Sequence, residues 1–176
     1  MLKNLIINIA VPEDAPGITE VRRTTWLATY PNKQAGITKS DIEAALNKRT
    51  FQEETERWRD KIEKWGSSRF WVAKDNGKVI GFASAWKEEK AHHLGGFYIL
   101  PVYQSMGIGK KLIKEILDWL GDDKDIHLEV VTYNIKAINF YKKFGFVENG
   151  LIHTEVAKIS TGKEMPEIDM IKRFKL

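Results

Sequence analysis

The chain has 176 residues, 43% of them hydrophobic and 30% charged, with a formal net charge of +4. This length and composition predict one globular domain over residues 1–176 with a sizeable hydrophobic core. Cysteine is absent, which excludes disulfides, thiolate nucleophiles and cysteine metal sites. The basic residues form clusters of only two, so a solvated surface is favoured over a nucleic-acid interface.

Two observations bear on location. No apolar run approaches the roughly 20 residues that a membrane span requires. The first 15 residues are hydrophobic for only a short stretch and carry no small-residue cleavage signal. Together with the absence of cysteine, these features predict a cytoplasmic protein that does not bind a membrane.

The first part of the chain is predicted to contain one strand and three helices. Residues 6–10 are typical of a strand, and residues 15–30 have the apolar spacing of a helix. A short helix is expected around residues 42–46. A longer helix follows, and Thr50 and Glu53 form a capping box at its start.

The rest of the chain predicts strands separated by two helices. The strands are expected over residues 70–74, 78–86, 92–100, 126–131, 146–157 and 164–174, and the helices after residues 107 and 134. The strand–helix–strand crossover in the middle of this series requires a parallel pair within an otherwise antiparallel sheet. The predicted fold is therefore α/β, with a mixed, mostly antiparallel central sheet of about seven strands and flanking helices.

A glycine-rich loop joins a buried strand to an amphipathic helix within residues 97–120. Pro101 ends the strand because it has no N–H to donate to a neighbouring strand. Gly107 and Gly109 allow a ligand to approach the backbone at the helix start, where free N–H groups and the helix dipole favour anions. Lys110 adds positive charge. The loop therefore predicts an anion site, with a pyrophosphate as the favoured ligand.

Two well-known phosphate loops do not match this segment. A P-loop requires a serine or threonine after its lysine, but Lys111 follows Lys110. The dinucleotide-binding fingerprint requires a third glycine where this chain has Leu112. The remaining pattern is Q-x-x-G-x-G over residues 104–109, which follows a strand and opens a helix.

This pattern resembles the coenzyme A loop of the GCN5-related N-acetyltransferases, [QR]-x-x-G-x-[GA]. A second segment, NIKAINFYKKFGF at residues 134–146, is similar to the family's N-x-x-A-x-x-F-Y-x-x-x-G-F segment at every marked position. The two segments occur in the family's order and spacing, and the resemblance covers residues 68–150 well. It implies the family's fold, in which two central parallel strands splay apart and the cofactor lies in the gap.

The resemblance also implies acetyl-CoA as co-substrate and assigns residues to it. Tyr141 resembles the tyrosine that protonates the departing thiolate, so it is the candidate general acid. Most contacts of the glycine loop are expected to come from backbone N–H groups. The cofactor-binding residues implied are Ile99, Gln104, Met106, Gly107, Ile108, Gly109, Lys110, Asn134 and Tyr141. The sequence itself shows no cluster of metal ligands.

The general base is left unassigned. Many relatives carry a glutamate on the strand before the glycine loop, where this chain has the segment HHLGG at residues 92–96. His93 falls near that position, and an imidazole suits proton transfer near neutral pH, so it is the candidate base beside its interpretation as a surface histidine. Glu129 on the neighbouring strand is another carboxylate to consider. Gly95 and Gly96 indicate either close approach of a ligand or a β-bulge.

The predicted activity is transfer of an acetyl group from acetyl-CoA to a primary amine of a small molecule, by direct attack in a ternary complex. Trp26 and Tyr30 are the candidate substrate residues, because aromatic rings can hold an alkyl ammonium group. A polyamine is among the acceptors that the resemblance suggests. Two alternatives stay open: a non-catalytic acyl-CoA-binding or regulatory module of the same fold, and a protein or peptide N-acetyltransferase. No nucleic-acid partner is expected, and a homodimer stays open.

Overall fold

The structure is a computed structural model that describes Leu2, residues 4–153 and residues 162–174. Within these residues the strands and helices follow one another in the predicted order. The strands are β1 (Leu5–Ile9), β2 (Ser68–Asp75), β3 (Lys78–Lys87), β4 (His92–Ile99), β5 (Ile126–Val131), β6 (Val147–His153) and β7 (Glu167–Lys172). The helices are α1 (Ala15–Thr29), α2 (Lys39–Leu46), α3 (Phe51–Glu63), α4 (Ile108–Leu120) and α5 (Ile135–Lys142).

All of these strands belong to one sheet, in the order β1-β2-β3-β4-β5-β7-β6. The central β4–β5 pair is parallel, and the other neighbouring pairs are antiparallel. α4 follows β4 and precedes β5 in the chain, so it forms the crossover that a parallel pair requires. The predicted mixed sheet with one central parallel pair is thereby confirmed.

β4 and β5 pair only at their amino-terminal ends. The register joins His92 to Ile126 and His93 to His127, and the structure gives no later pair between these strands in the part of the chain that it describes. Both strands continue for several residues past this point without pairing to each other. A gap therefore opens in the middle of the sheet, as the resemblance implies.

A β-bulge lies where the gap begins. Gly95 and Gly96 together stand opposite Ser84 of β3, because β4 has one more residue than β3 in this stretch. A Cβ on Gly95 would lie 2.7 Å from both the Ser84 hydroxyl and the Trp86 ring, so only glycine fits there. Of the two interpretations of this glycine pair, the structure shows the bulge.

Helices cover both faces of the sheet. On one face, Trp58 of α3 packs edge-on against Phe82 of β3, with ring centroids 5.4 Å apart. On the other face, Trp119 of α4 packs against Trp71 of β2, also at 5.4 Å. Trp71 stands opposite Ala83, the residue after Phe82, so the alternation of side chains along a strand accounts for the two layers. None of the helices in the described residues has the length and apolarity to cross a membrane.

β7 is shorter than predicted. It spans Glu167–Lys172, whereas a strand over residues 164–174 was expected. Pro166 explains the late start of β7, because proline has no N–H for the ladder and its carbonyl instead accepts from the Thr132 N–H at 2.8 Å. Residues 154–157 of the strand predicted over residues 146–157 lie outside the described residues.

Gly17 allows the first turn of α1 to approach β3 closely. A Cβ on Gly17 would lie 2.6 Å from the Val79 Cβ. Both carbons are fixed to their backbones, so neither can rotate away. The helix would have to shift to accept any larger residue.

We expect Gly17→Ala to lower the free energy of unfolding by about 1–3 kcal/mol through overpacking. Alanine gains helix propensity over glycine by at most about 1 kcal/mol, so the net effect is a loss. Urea denaturation measures it, and Thr24→Ala on the exposed side of α1 is the control, with a change within about 0.5 kcal/mol. A Gly17→Ala protein as stable as the parent would contradict the close helix–strand contact.

Candidate active site

A cavity of about 1240 Å³ occupies the gap between β4 and β5. One end reaches the glycine loop before α4, and the other lies beside His93 at the start of the gap. His93 and Ile99 are six residues apart on β4, so the two ends are separated by roughly 20 Å. The cavity is therefore long, and different residues line each end.

Gly107 opens the loop end of the cavity. It is the N-cap of α4 with φ 81°, a left-handed conformation that favours glycine, and no side chain caps the helix. A Cβ on Gly107 would meet no atom within 4 Å, so the space before the first N–H groups of α4 is open. Lys110 and Lys136 also line the cavity. This arrangement suits a phosphate or pyrophosphate.

Gly109 has a different role from Gly107. A Cβ on Gly109 would lie 3.2 Å from the Phe140 ring and 3.4 Å from the Ile99 side chain. Although Gly109 lines the cavity, its missing side chain faces protein. The expectation that both glycines admit a ligand therefore fits Gly107, whereas Gly109 allows α4 to pack closely against β4 and α5.

Gln104 ties the glycine loop to its neighbours. Its Nε2 donates to the Ile99 carbonyl at 3.0 Å, and its Oε1 accepts from the Lys136 ammonium at 2.7 Å. The side chains of Met106 and Ile108 do not line the cavity, since Met106 is exposed and Ile108 is buried in the core. Only the backbone of these two positions can contribute, as the sequence led us to expect.

α5 places Asn134 and Tyr141 along the cavity. Asn134 caps the helix by accepting a hydrogen bond from the Ala137 N–H at 3.2 Å. Tyr141 is buried, and its ring packs against Phe97 and Phe146 with centroids 6.2 and 5.9 Å away. Burial raises the pKa of Tyr141 well above the usual phenol value, with a smaller contribution from Tyr98. Its hydroxyl therefore stays protonated at neutral pH.

Of the two candidate substrate aromatics, Tyr30 lines the cavity and Trp26 does not. The Trp26 ring lies under the Arg22 guanidinium, 4.2 Å from its centroid, and contacts Tyr30 edge-on at 5.2 Å. Trp26 thus packs against Tyr30 without lining the cavity itself. The pKa of Tyr30 is raised well above its usual value, chiefly by burial and next by its proximity to Tyr98.

The two adjacent histidines of β4 face opposite sides of the sheet. His92 is buried, and its Nε2 lies 3.2 Å from an Asp123 carboxylate oxygen. His93 lines the cavity with its ring stacked on Trp86, at 5.0 Å and 9° between planes. The His93 Nε2 is 3.4 Å from a Glu88 carboxylate oxygen.

A histidine–aspartate pair that the sequence analysis did not find lies beside His93. Nδ1 of His127 is 3.2 Å from Oδ2 of Asp169, and the Asn149 amide donates to the same oxygen at 2.8 Å. His127 and Asp169 are 42 residues apart in the chain, which hides the pairing from any local motif. The sequence signal that could have pointed to this pair is the presence of charged side chains within the otherwise apolar strands β5 and β7.

The end of the cavity near His93 and His127 is rich in acidic residues. Glu129 and Asp169 line it, whereas Glu167 lines the cavity opposite Val131 at the other end of β5. Lys110 and Lys136 line the loop end. The cavity is thus polarised, with an anion-binding end and a cation-attracting end. Over the described residues, no group of three or more His, Asp or Glu side chains is arranged to hold a metal ion.

Solved structures share this fold over nearly the whole chain. The PaiA N-acetyltransferase from Thermoplasma acidophilum, in complex with coenzyme A, has a TM-score of 0.76 at 22% identity, covering 98% of this chain and 100% of that one. A spermidine N-acetyltransferase SpeG chimera from Vibrio cholerae has a TM-score of 0.70 at 21% identity, covering 97% and 96%. At these identities the likeness establishes the acetyltransferase fold.

Sequence relatives match shorter segments. The spermine/spermidine N(1)-acetyltransferase of Bacillus subtilis (strain 168) is 40% identical over 60 residues, 32% of this chain and 40% of the relative. The N-alpha-acetyltransferase RimI of Mycobacterium tuberculosis is 33% identical over 86 residues, 45% of this chain and 52% of the relative. The match therefore spans about half or less of either relative.

The sequence profile of the acetyltransferase (GNAT) family matches residues 39–146, which is more than half of the chain. The chain belongs to this family. The resemblance inferred from the glycine loop and from residues 134–146 is thereby confirmed.

The raised pKa values of Tyr30 and Tyr141 predict a pH-dependent stability. Phenols of the unfolded chain ionise near pH 10, while these two stay protonated in the fold. The unfolded state then binds fewer protons, so the free energy of unfolding should fall as pH rises above about 10, by up to roughly 1.4 kcal/mol per pH unit for each phenol.

Urea denaturation between about pH 9 and 11.5 tests this dependence. Tyr141→Phe should remove the contribution of one phenol and so reduce the slope. Tyr103→Phe, a tyrosine outside the cavity lining, serves as the comparison. A Tyr141→Phe slope equal to that of the parent would show that the Tyr141 hydroxyl is not held protonated by burial.

Proposed function

We propose that this protein is an acetyl-CoA-dependent N-acetyltransferase that acetylates a primary amine of a small cationic molecule. The observation that carries the proposal is the polarised cavity, with its basic glycine loop at one end and its carboxylates at the other. Membership of the acetyltransferase family supports it. The proposal includes a single domain over residues 1–176 and a cytoplasmic location, and a homodimer stays open.

The residues at the loop end fit the coenzyme. The N–H groups at the start of α4, together with Lys110 and Lys136, would hold the pyrophosphate. Past His93, β4 loses its partner strand, so its backbone N–H and C=O groups on that edge need other partners. The amides of the pantetheine arm can supply them, with Ile99 on one side and Asn134 on the other.

The chemistry requires a proton acceptor, a carbonyl that accepts the amine, and a proton donor. The amine nitrogen bonds to the acetyl carbonyl carbon, the C–S bond breaks, and the sulfur takes up a proton. We assign the proton donation to Tyr141, because burial keeps its hydroxyl protonated and it lines the cavity. Cysteine is absent, so a cysteinyl acyl-enzyme cannot form.

The acceptor side favours a cationic amine. The carboxylates of Glu129 and Asp169 line it and attract ammonium groups, and the Trp86 ring can contact an alkyl ammonium chain. A relative named spermine/spermidine N(1)-acetyltransferase supports a polyamine acceptor. The relative named N-alpha-acetyltransferase RimI supports the second candidate, the terminal amine of a peptide.

A thiol-release assay with acetyl-CoA and a panel of acceptors tests the proposal. The panel contains spermine, spermidine, a monoamine and peptides with a free N-terminus. We expect CoA release with the polyamines above that with the monoamine. Release with peptides alone would favour the second candidate. Acetyl-CoA binding by calorimetry without release against any acceptor would instead indicate a regulatory module.

Tyr141→Phe tests the general acid. The variant keeps the ring packing, so acetyl-CoA affinity and the fold should change little. We expect kcat to fall by about 10²- to 10⁴-fold, the usual size of general acid–base catalysis. Tyr103→Phe, outside the cavity lining, should keep the kcat of the parent. If the chemical step is rate-limiting and Tyr141→Phe turns over like the parent, Tyr141 is a packing residue.

A further inference from the structure

We propose that His127, oriented by Asp169, is the general base that takes the proton from the acceptor amine. The inference rests on the proposed acetyltransferase activity and names a residue for the role that the sequence left open. It is carried by the hydrogen bonds of the pair, its position at the start of the gap and the acidic surroundings.

The hydrogen bonds fix which ring nitrogen of His127 is basic. Nδ1 lies 3.2 Å from the Asp169 carboxylate, which can only accept, so Nδ1 carries the proton and donates it. The Asn149 amide donates to the same carboxylate oxygen at 2.8 Å and holds it in place. Nε2 therefore keeps its lone pair, and within the described residues it makes no hydrogen bond. A second group that orients a histidine in this way is a recurring feature of proton-transfer sites.

The position of His127 suits a reaction in the gap. It is the last residue of β5 that pairs with β4, so its side chain lies where the strands begin to separate. The side chain of His127 is 28% exposed and lines the cavity, whereas Asp169 is buried beside it. The ring is accessible to an acceptor, and its carboxylate partner is largely shielded from water.

His93 fits the role less well. Its ring is stacked on Trp86, and its Nε2 lies near the carboxylate of Glu88, whose side chain is 57% exposed. An exposed carboxylate on a flexible side chain orients a ring less firmly than a buried one. His93 lies 5.9 Å from His127, ring centroid to ring centroid, and forms the neighbouring wall of the cavity.

Charged groups approach His127 from each strand next to it. His93 faces it from β4 and Asp169 from β7. Asp125, just before β5, is close enough to interact electrostatically, and Glu129 follows on the same face of β5. The carboxylates favour arrival of a protonated amine, and the lone pair on Nε2 of His127 can then accept one proton.

The proposed step balances atoms and charge. An N–H bond of the ammonium group breaks and its proton moves to Nε2 of His127. The freed nitrogen lone pair bonds to the acetyl carbon, the C–S bond breaks, and the sulfur receives the proton of Tyr141. The nitrogen that now bears the acetyl group loses its second proton to solvent and becomes the neutral amide. The His127 imidazolium also releases its proton to solvent, and the Tyr141 phenolate takes up one proton from solvent, so one proton is released overall.

The test compares kcat/KM across pH for the parent, His127→Gln and Asp169→Asn, with spermidine as acceptor. His127→Gln should lose about 10²- to 10⁴-fold at neutral pH, and the deficit should shrink as rising pH supplies neutral amine. Asp169→Asn should lose on the order of 10- to 100-fold, because an amide that donates to Nδ1 reverses the tautomer. Acetyl-CoA affinity by calorimetry should match the parent in both.

Glu148→Gln is the matched control, since it removes a carboxylate near this end of the sheet that pairs with Lys142 rather than lining the cavity. It should keep the activity and pH profile of the parent. His93→Gln tests the competing assignment and should show no deficit that shrinks with rising pH.

The inference is overturned if His127→Gln keeps the pH profile of the parent, whether or not its rate falls, because a structural loss would be equal at every pH. It is also overturned if His93→Gln shows a deficit that shrinks with rising pH and His127→Gln does not. In either case the proposed function stands, because the parent is active. A parent that acetylates no acceptor overturns both.

Discussion

The structure depends on one constraint, which is that hydrogen bonding between β4 and β5 stops at the pair of His93 and His127. Buried backbone groups almost always have partners, so a strand edge left open inside a sheet calls for a ligand that can pair with it. The bulge at Gly95 and Gly96 bends β4 at this point. The cavity is therefore a product of the sheet, and the helices only close its sides.

The bulge also separates the two proposed proton-transfer groups, Tyr141 and His127. Without it, His93 and Phe97 would face the same side of β4, because they are four residues apart. The extra residue reverses this: His93 faces the side of Trp86, and Phe97 faces the side of α5, where it contacts Tyr141. His127 pairs with His93 and faces the same side of the sheet. The proposed proton donor, Tyr141, and the proposed proton acceptor, His127, thus reach one gap from opposite faces of the sheet.

Local patterns in the sequence were sufficient for the element order, the parallel pair and the glycine loop, because each depends on residues close in the chain. They were insufficient where distant strands meet. Asp169 contacts His127 only because β7 inserts between β5 and β6, and no spacing rule reports that order. Likewise, a Cβ on Gly109 would face Phe140, which lies on α5 and comes close to Gly109 only in the folded protein.

Trp26 and Tyr30 are on adjacent turns at the end of α1, and the sequence does not distinguish them. Only the packing shows that Tyr30 lines the cavity and that Trp26 does not.

The glutamine of the loop has a physical explanation in the same terms. Ser105 and Gly107 both adopt left-handed conformations, at φ 64° and 81°, and for a residue other than glycine this costs about 1–2 kcal/mol. Such a loop persists only when its surroundings hold it. Gln104 holds the loop by donating a hydrogen bond to the carbonyl of Ile99. Ile99 is the last residue of β4, where β4 no longer pairs with β5. The position requires an N–H donor long enough to reach back to the strand, and this explains why the family pattern admits glutamine or arginine there.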